Sequence, residues 1–260
     1  MELEITDADR PPPDLRERYF RSLGGEPQVH HVERAVAAAR TLVLGPAKSP
    51  LGYMAVHDGV VVEFWAVDAV LPDLSEVFYA AAAHAGAATA MIKSYDTLAL
   101  VAIAGRPFQA KTIGVNCTAW SDERFDPPPG FTARPGHPDD LPILTDIGAG
   151  LFGAPDEAAH DLAAGRITIY ELGGEPVGCG VLSPVRQGAD AFDVGVGVLP
   201  AWRRKGMGEQ IVRHLKLVCL RDLGVRPTCG CAVENIGSRR TLERAGFLTR
   251  HRLLELSLTR

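Results

Sequence analysis

Nothing in these 260 residues is apolar over a long enough run to span a bilayer: the most apolar stretches, such as Thr97 to Gly105, fall far short of the roughly 18 to 20 residues that a crossing helix needs. Charge of one sign does not accumulate either. The 32 acidic and 27 basic residues are interspersed and leave a net charge of -5, which argues against a nucleic-acid partner and means that any anionic ligand needs a locally basic site. No secretory leader is expected either, because the N-terminal stretch MELEITDADRPPPD is acidic and proline-rich where such a leader starts basic and turns apolar. The expectation is a cytoplasmic protein with no membrane partner. Cysteine is scarce and odd in number: Cys117, Cys179, Cys219, Cys229 and Cys231 suit reduced, buried thiols better than a disulfide framework. Cys229 and Cys231 would face the same way on a strand, but no His or Cys partners stand at metal spacing, so no metal is expected. What remains is an ordinary globular composition, 46% hydrophobic and 23% charged, in a chain long enough for one large domain or two of usual size.

The pattern breaks at Ser121 to Gly130, SDERFDPPPG, where charges and three consecutive prolines separate two better ordered halves. This divides the chain into 1–120, a linker at 121–130, and 131–260. In the second half, Phe131 to Arg134 reads as a strand, Pro138 to Phe152 and Asp156 to Ala164 as helices, and Arg166 to Leu172 with Val177 to Leu182 as a hairpin about Gly173-Gly174-Glu175-Pro176. Ala191 to Leu199 is a further strand. Met207 to Leu223 carries Ile211, Val212, Leu215, Val218 and Cys219 on one helical face, with Gly224 at its end. Thr228 to Val233, Gly237 to Ala245 and Arg252 to Leu258 complete the order as strand, helix and strand. Strands and helices in this sequence specify an α/β fold in which a mixed sheet carries helices on both faces.

The chemically informative passage is Val194-Gly195-Val196-Gly197-Val198-Leu199-Pro200-Ala201-Trp202-Arg203-Arg204-Lys205-Gly206-Met207-Gly208, a strand that passes through a basic, glycine-rich loop into an amphipathic helix. Backbone N–H groups at a helix start lack intrahelical partners and sit at the positive end of the helix dipole, which makes a cradle for phosphate. Gly206 and Gly208 would admit the ligand, and Arg203, Arg204 and Lys205 add charge. The spacing fits neither a P-loop nor the G-x-G-x-x-G of a dinucleotide site. By itself the pattern also describes an ordinary solvated helix start.

Two groups of residues at matching distance carry a resemblance. Arg203, Gly206 and Gly208 fit R/Q-x-x-G-x-G/A, preceded by Val198 and Pro200. Asn235, Ser238, Glu243 and Gly246-Phe247 fit N-x-x-A/S followed by E-x-x-G-F. Over about half its length the chain resembles the GNAT superfamily of N-acetyltransferases. The resemblance implies a GNAT acyl-CoA N-acyltransferase fold in the C-terminal half, with acetyl-CoA as cosubstrate. It places Val196 and Val198 against the pantetheine arm, Arg203, Arg204, Lys205, Gly206, Met207 and Gly208 about the pyrophosphate, and Asn235 and Ser238 beside the thioester. Asn235 is equally a helix cap.

The implied reaction is direct attack of a neutral primary amine, from a small molecule or a peptide, on the thioester, and it needs a base. Where many relatives carry glutamate this chain has Phe192. Asp193 is the neighbouring candidate, although strand alternation turns it to the opposite face unless a bulge intervenes. Leu242 stands where many relatives offer a tyrosine to the departing thiolate. The alternative is a non-catalytic acetyl-CoA sensor or interaction protein. The N-terminal half repeats the order faintly: Val61 to Val67 is a strand, Val70-Leu71-Pro72 echoes Val198-Leu199-Pro200, and helices follow at Leu74 to Ala85 and Thr97 to Ala104. It resembles a degenerate GNAT-like unit whose Asp73-Leu74-Ser75-Glu76 would repel a pyrophosphate. Glu63 and Trp65 are candidates for an acceptor pocket there, with core packing the simpler role for Trp65. The sequence leaves the oligomeric state open.

Overall fold

The structure, a computed structural model, describes residues 3–122, 124–148, 151 and 155–258. It divides into two compact units: Met1–Asn116 with Ala232–Glu234 and His251–Arg260, and Cys117–Cys231 with Asn235–Arg250. In chain order the first supplies β1 (Ile5–Ala8), α1 (Pro13–Ser22), α2 (His30–Ala37), β2 (Arg40–Leu44), β3 (Gly52–His57), β4 (Val60–Ala66), a 3-10 turn (Asp68–Asp73), α3 (Leu74–Ala85), β5 (Thr89–Lys93), α4 (Thr97–Ala104) and β6 (Phe108–Cys117). Next come β7 (Ala119–Trp120), β8 (Phe131–Pro135), α5 (Leu141–Ile147), α6 (Pro155–Ala163), β9 (Ile167–Leu172), β10 (Glu175–Pro184), β11 (Ala191–Val198), α7 (Met207–Leu217), β12 (Arg226–Ala232), α8 (Ile236–Arg244), β13 (Phe247–Leu248) and finally β14 (His251–Leu258). Among the described residues no helix is long and apolar enough to cross a membrane.

Strands of the first unit run in the order β1-β2-β3-β4-β5-β14-β6. The last strand therefore departs from the expected division, which kept it with 131–260. It pairs antiparallel with β5 on one side and β6 on the other. The reason is apolar surface on both of its faces: Leu256 enters the core beneath α3 and α4, and Leu253 enters the core beneath α2. Without it the facing edges of β5 and β6 would lose those partners. The first unit also ends earlier than expected, since β7 pairs with β13 inside the second unit.

The second unit orders its main strands β12-β11-β10-β9-β8, with α7 and α8 over one core and α5 and α6 over another. The hairpin turn is shorter than expected, Gly173 and Gly174 alone at φ +61° and +87°, and β10 starts at Glu175. The first expected helix splits: Pro138–Asp140 is a 3-10 turn, α5 follows, and Gly148 at φ +97° ends it. Phe152 lies outside the described residues. The helix read as 207–223 loosens at Val218–Leu223 into a π-turn before Gly224. Nothing in the sequence reading anticipated β1 to β3 or the first two helices.

In the first unit the parallel pair β4–β5 holds register only at Val60↔Thr89 and Val61↔Ala90. The register of β3 against β4 shifts at Ala55/Val56, so Val62 and Glu63 both turn toward α1 and α2. Fully buried Glu63 accepts from Arg16 Nε at 2.9 Å, Gln28 Nε2 at 2.8 Å and the Tyr53 hydroxyl at 2.8 Å. The Gln28 amide then bridges the diverging strands, its oxygen accepting from buried Lys93 Nζ at 2.7 Å. Lys93 also donates to Tyr19, whose hydroxyl donates to Asp96 at 2.9 Å. Burial pushes the Lys93 ammonium below its usual pKa and the Asp96 carboxyl above its own, each against the pull of the other.

Removing the Glu63 carboxylate strands two buried donors, Gln28 and Tyr53, and takes one of the two carboxylate partners from half-buried Arg16. Glu63→Ala is expected to destabilise the protein by about 3–5 kcal/mol, read as a fall in urea midpoint, and an unchanged midpoint would contradict the role given to this network.

Candidate functional site

The second unit repeats the divergence. β11 pairs in parallel with β12 only at Ala191↔Arg226, Phe192↔Pro227 and Asp193↔Thr228, and buried Thr228 fixes the apex by donating its hydroxyl to the Phe192 carbonyl at 3.2 Å. Beyond that point Val194 to Val198 stay in register with β10 alone. The opposite edge of β11 thus offers backbone groups to something other than a strand. The register with β10 is unbroken from Gly178↔Val198 to Pro184↔Phe192, so alternation is strict: Phe192, Val194, Val196 and Val198 pack toward the core beneath α7. Asp193 lies on the opposite face with Gly195 and Gly197, the face that Ile147 and Leu151 cover. Asp193 is the single carboxylate of β11 and sits at the apex of the divergence.

At its far end β11 enters a 3-10 turn, Pro200–Trp202, and then the basic loop. Arg204 at φ +60° and Gly206 at φ +83° reverse the chain, and Gly206 is the N-cap of α7. A glycine cap offers no side chain, so the first N–H groups of α7 have no capping partner. Space at Gly206 is open, since a Cβ there would meet nothing within 4 Å. Gly208 differs from expectation. A Cβ at this position would press on Thr241 Cγ2 at 3.2 Å and Val198 Cγ2 at 3.3 Å, so its glycine lets α7 pack closely on α8 and β11 instead of clearing room for a ligand.

The three basic residues divide their work. The Arg203 guanidinium donates to the Val198 carbonyl at 3.1 Å and to the Ile147 carbonyl at 3.0 Å, tying the loop to the strand it leaves and to the C-terminal end of α5. Lys205 Nζ lies 4.9 Å from the centre of the Trp202 ring. Arg204 is exposed. Met207 turns its side chain into the core while its N–H belongs to the helix start. Asn235 caps α8, its Oδ1 accepting from Ser238 N at 3.0 Å. Leu242 is buried in the same core cluster as Met207, Ile211 and Ala245, so that helix position points into the core. Burial raises the thiols of Cys179 and Cys219 to about 12, the condition of inert core cysteines. The described residues contain no group of three or more His, Cys, Asp or Glu able to hold a metal. Thr228 and the Ile147 carbonyl, which fix the apex and the loop, were not singled out from sequence, because nothing in a lone threonine or a backbone oxygen marks it.

Residues 136–247 match the family model described as "Acetyltransferase (GNAT) family", and this part of the chain is a GNAT domain. The fold of the whole chain is shared with an acetyltransferase of the GNAT family from Colwellia psychrerythraea, at 12% identity and a TM-score of 0.80 over 100% of both chains. A GCN5-related N-acetyltransferase from Sphaerobacter thermophilus is similar at 15% identity and a TM-score of 0.63, over 97% of this chain and 95% of that one. A tandem GNAT protein from the clavulanic acid biosynthesis pathway is similar at 14% identity and 0.59, over 98% of each. No curated protein matches the sequence.

Gly206 carries the loop's reversal. Gly206→Ala forces an L-residue into left-handed backbone and is expected to cost about 1–2 kcal/mol in urea unfolding, with Gly206→Asn costing less. Equal, negligible costs would show that residue 206 is not held left-handed.

Proposed function

We propose that this chain transfers an acetyl group from acetyl-CoA to a primary amine of a small molecule or peptide by direct attack, acting in the cytoplasm. The observation that carries the reading is the divergence of β11 from β12 after Asp193↔Thr228, leading straight to the uncapped start of α7. Acetyl-CoA supplies a thioester, an extended amide-bearing arm and a pyrophosphate. The free edge of β11 around Val196 and Val198 suits the arm, which can bond to it as a strand would. The N–H groups from Met207 onward, with Arg204 and Lys205, suit the pyrophosphate. Arg203 contributes by holding the loop, given its bonds to Val198 and Ile147. Asn235 and Ser238 keep the start of α8 in place near the far side of the cleft.

The attacking amine must lose a proton, and Asp193 is the carboxylate that β11 places at the apex, on the face shared with Gly195 and Gly197. We assign it the role of base. A base acts only when ionised, so activity should rise with pH through its apparent pKa. A departing thiolate is a fair leaving group, with a thiol pKa of about 8.5, and turnover can proceed without the tyrosine that Leu242 replaces.

Two measurements test the reading. Calorimetry should give one acetyl-CoA site per chain, and Gly206→Glu, which adds bulk and like charge at the pyrophosphate position, should weaken it at least about tenfold, a loss of about 1.4 kcal/mol. Thiol release over an amine panel should exceed the cofactor-only rate and fall by about 100-fold or more in Asp193→Asn, with the acidic limb of the pH profile lost. Binding without release for any amine would point to an acetyl-CoA sensor. Leu242→Tyr should not raise turnover, because the ring enters a filled core at a cost of about 1–3 kcal/mol.

A further inference from the structure

The first unit keeps an opening of its own. Past the wedge filled by Glu63 and Gln28, β4 ends beside α1, and a cavity of about 450 Å³ is lined there by Arg18, Arg21, Trp65, Val67, Asp68 and Ala69. All six belong to the first unit, so this is separate from the β11–β12 cleft. We propose that it is a second ligand site, for a small monocarboxylate with an aromatic or branched apolar body.

The argument rests on how α1 distributes its arginines. Arg16 is spent inside the unit, paired with Glu63 at 2.9 Å and with Glu33 at 2.6 Å. Arg18 and Arg21 stand three apart, which places their side chains on one side of the helix. Both are exposed and have no ion-pair partner among the described residues. Two unpartnered guanidiniums at one mouth, in a chain of net charge -5, concentrate the fork-shaped donors that match a carboxylate.

The floor is different in kind. Trp65 sits on the same face of β4 as Glu63 and packs with Leu15 and Tyr19, yet keeps 7% of its surface open. Half-buried Val67 continues that wall. An indole and an isopropyl group below two cations select a ligand that is apolar at one end and anionic at the other. Asp68 sets the amount of charge. With two cations and one anion around the mouth, a singly charged carboxylate leaves the site balanced, whereas a phosphate dianion would meet Asp68 with its surplus.

Phenylacetate is the probe. Titrated calorimetrically into the full chain, it should bind once, on the order of millimolar or tighter, without changing the acetyl-CoA isotherm. Phenethylamine, which reverses the charge, should not bind, and phenyl phosphate should bind more weakly. Arg18→Ala/Arg21→Ala should weaken phenylacetate by about tenfold or more while leaving the thermal midpoint in place, because neither side chain has an ion-pair partner among the described residues. Fluorescence of a Trp120→Phe/Trp202→Phe variant, in which Trp65 is the remaining indole, should follow the same titration. Absence of binding, equal affinity in the arginine variant, or tighter binding of phenyl phosphate would each overturn the proposal.

Discussion

A parallel strand pair that loses register after two or three residues leaves backbone donors and acceptors along a widening gap, and each unit of this chain must satisfy them. Water, side chains or a ligand can do so, and the choice decides what the unit does. β4 and β5 part after Val61↔Ala90, and β11 and β12 part after Asp193↔Thr228. The same geometry recurs on a shared order of elements, strand, two helices, three strands, helix, strand, helix, and is resolved in opposite ways.

In the first unit the answer is side chains. Gln28 is suited to the gap because its amide both donates and accepts, meeting a carboxylate on one strand and an ammonium on the other. Such a network is not cheap to bury, and its ions draw on each other and on neutral hydroxyls from Tyr19 and Tyr53 to remain there. A wedge filled by these side chains leaves no room for an extended ligand between β4 and β5. In the second unit the corresponding residues of β11 are valines and glycines, which fill no wedge with polar atoms.

How much of this the sequence discloses follows from where the signal is local. The loop and its helix are legible because glycine, arginine and an amphipathic period occupy consecutive positions, and the strict alternation that sends Asp193 away from Phe192 needs only an unbroken strand. Gly206 and Gly208 look alike in sequence and do different work, since a positive φ and a close helix contact are not distinguished by the residue type that permits both. The exchange of β14 is hidden for a related reason. Leu253 and Leu256, on opposite faces, specify a strand buried on both sides but not which sheet receives it, because pairing across some 135–168 residues leaves no periodic trace. The Glu63 network depends on a bulge in β4 and on a glutamine in an unpatterned segment, neither of which stands out before the fold brings them together.

The two helix starts complete the contrast. α3 begins after Asp73 with no side-chain cap and carries Glu76 in its first turn, and that carboxylate is taken up by Arg106 at 2.8 Å while Arg106 also lies 4.5 Å from the Tyr79 ring. Gly105 lies so close to Ser75 that a Cβ would come within 2.2 Å of its hydroxyl, so the C-terminal end of α4 packs tightly on the first turn of α3. α7 begins after a glycine and two exposed cations, with Arg203 turned aside to anchor the loop. Charge at a helix start is therefore not an independent feature of either unit. Where side chains fill the wedge, the adjoining helix start is acidic and paired; where the strands carry valines and glycines instead, the helix start is capped by glycine and flanked by exposed cations.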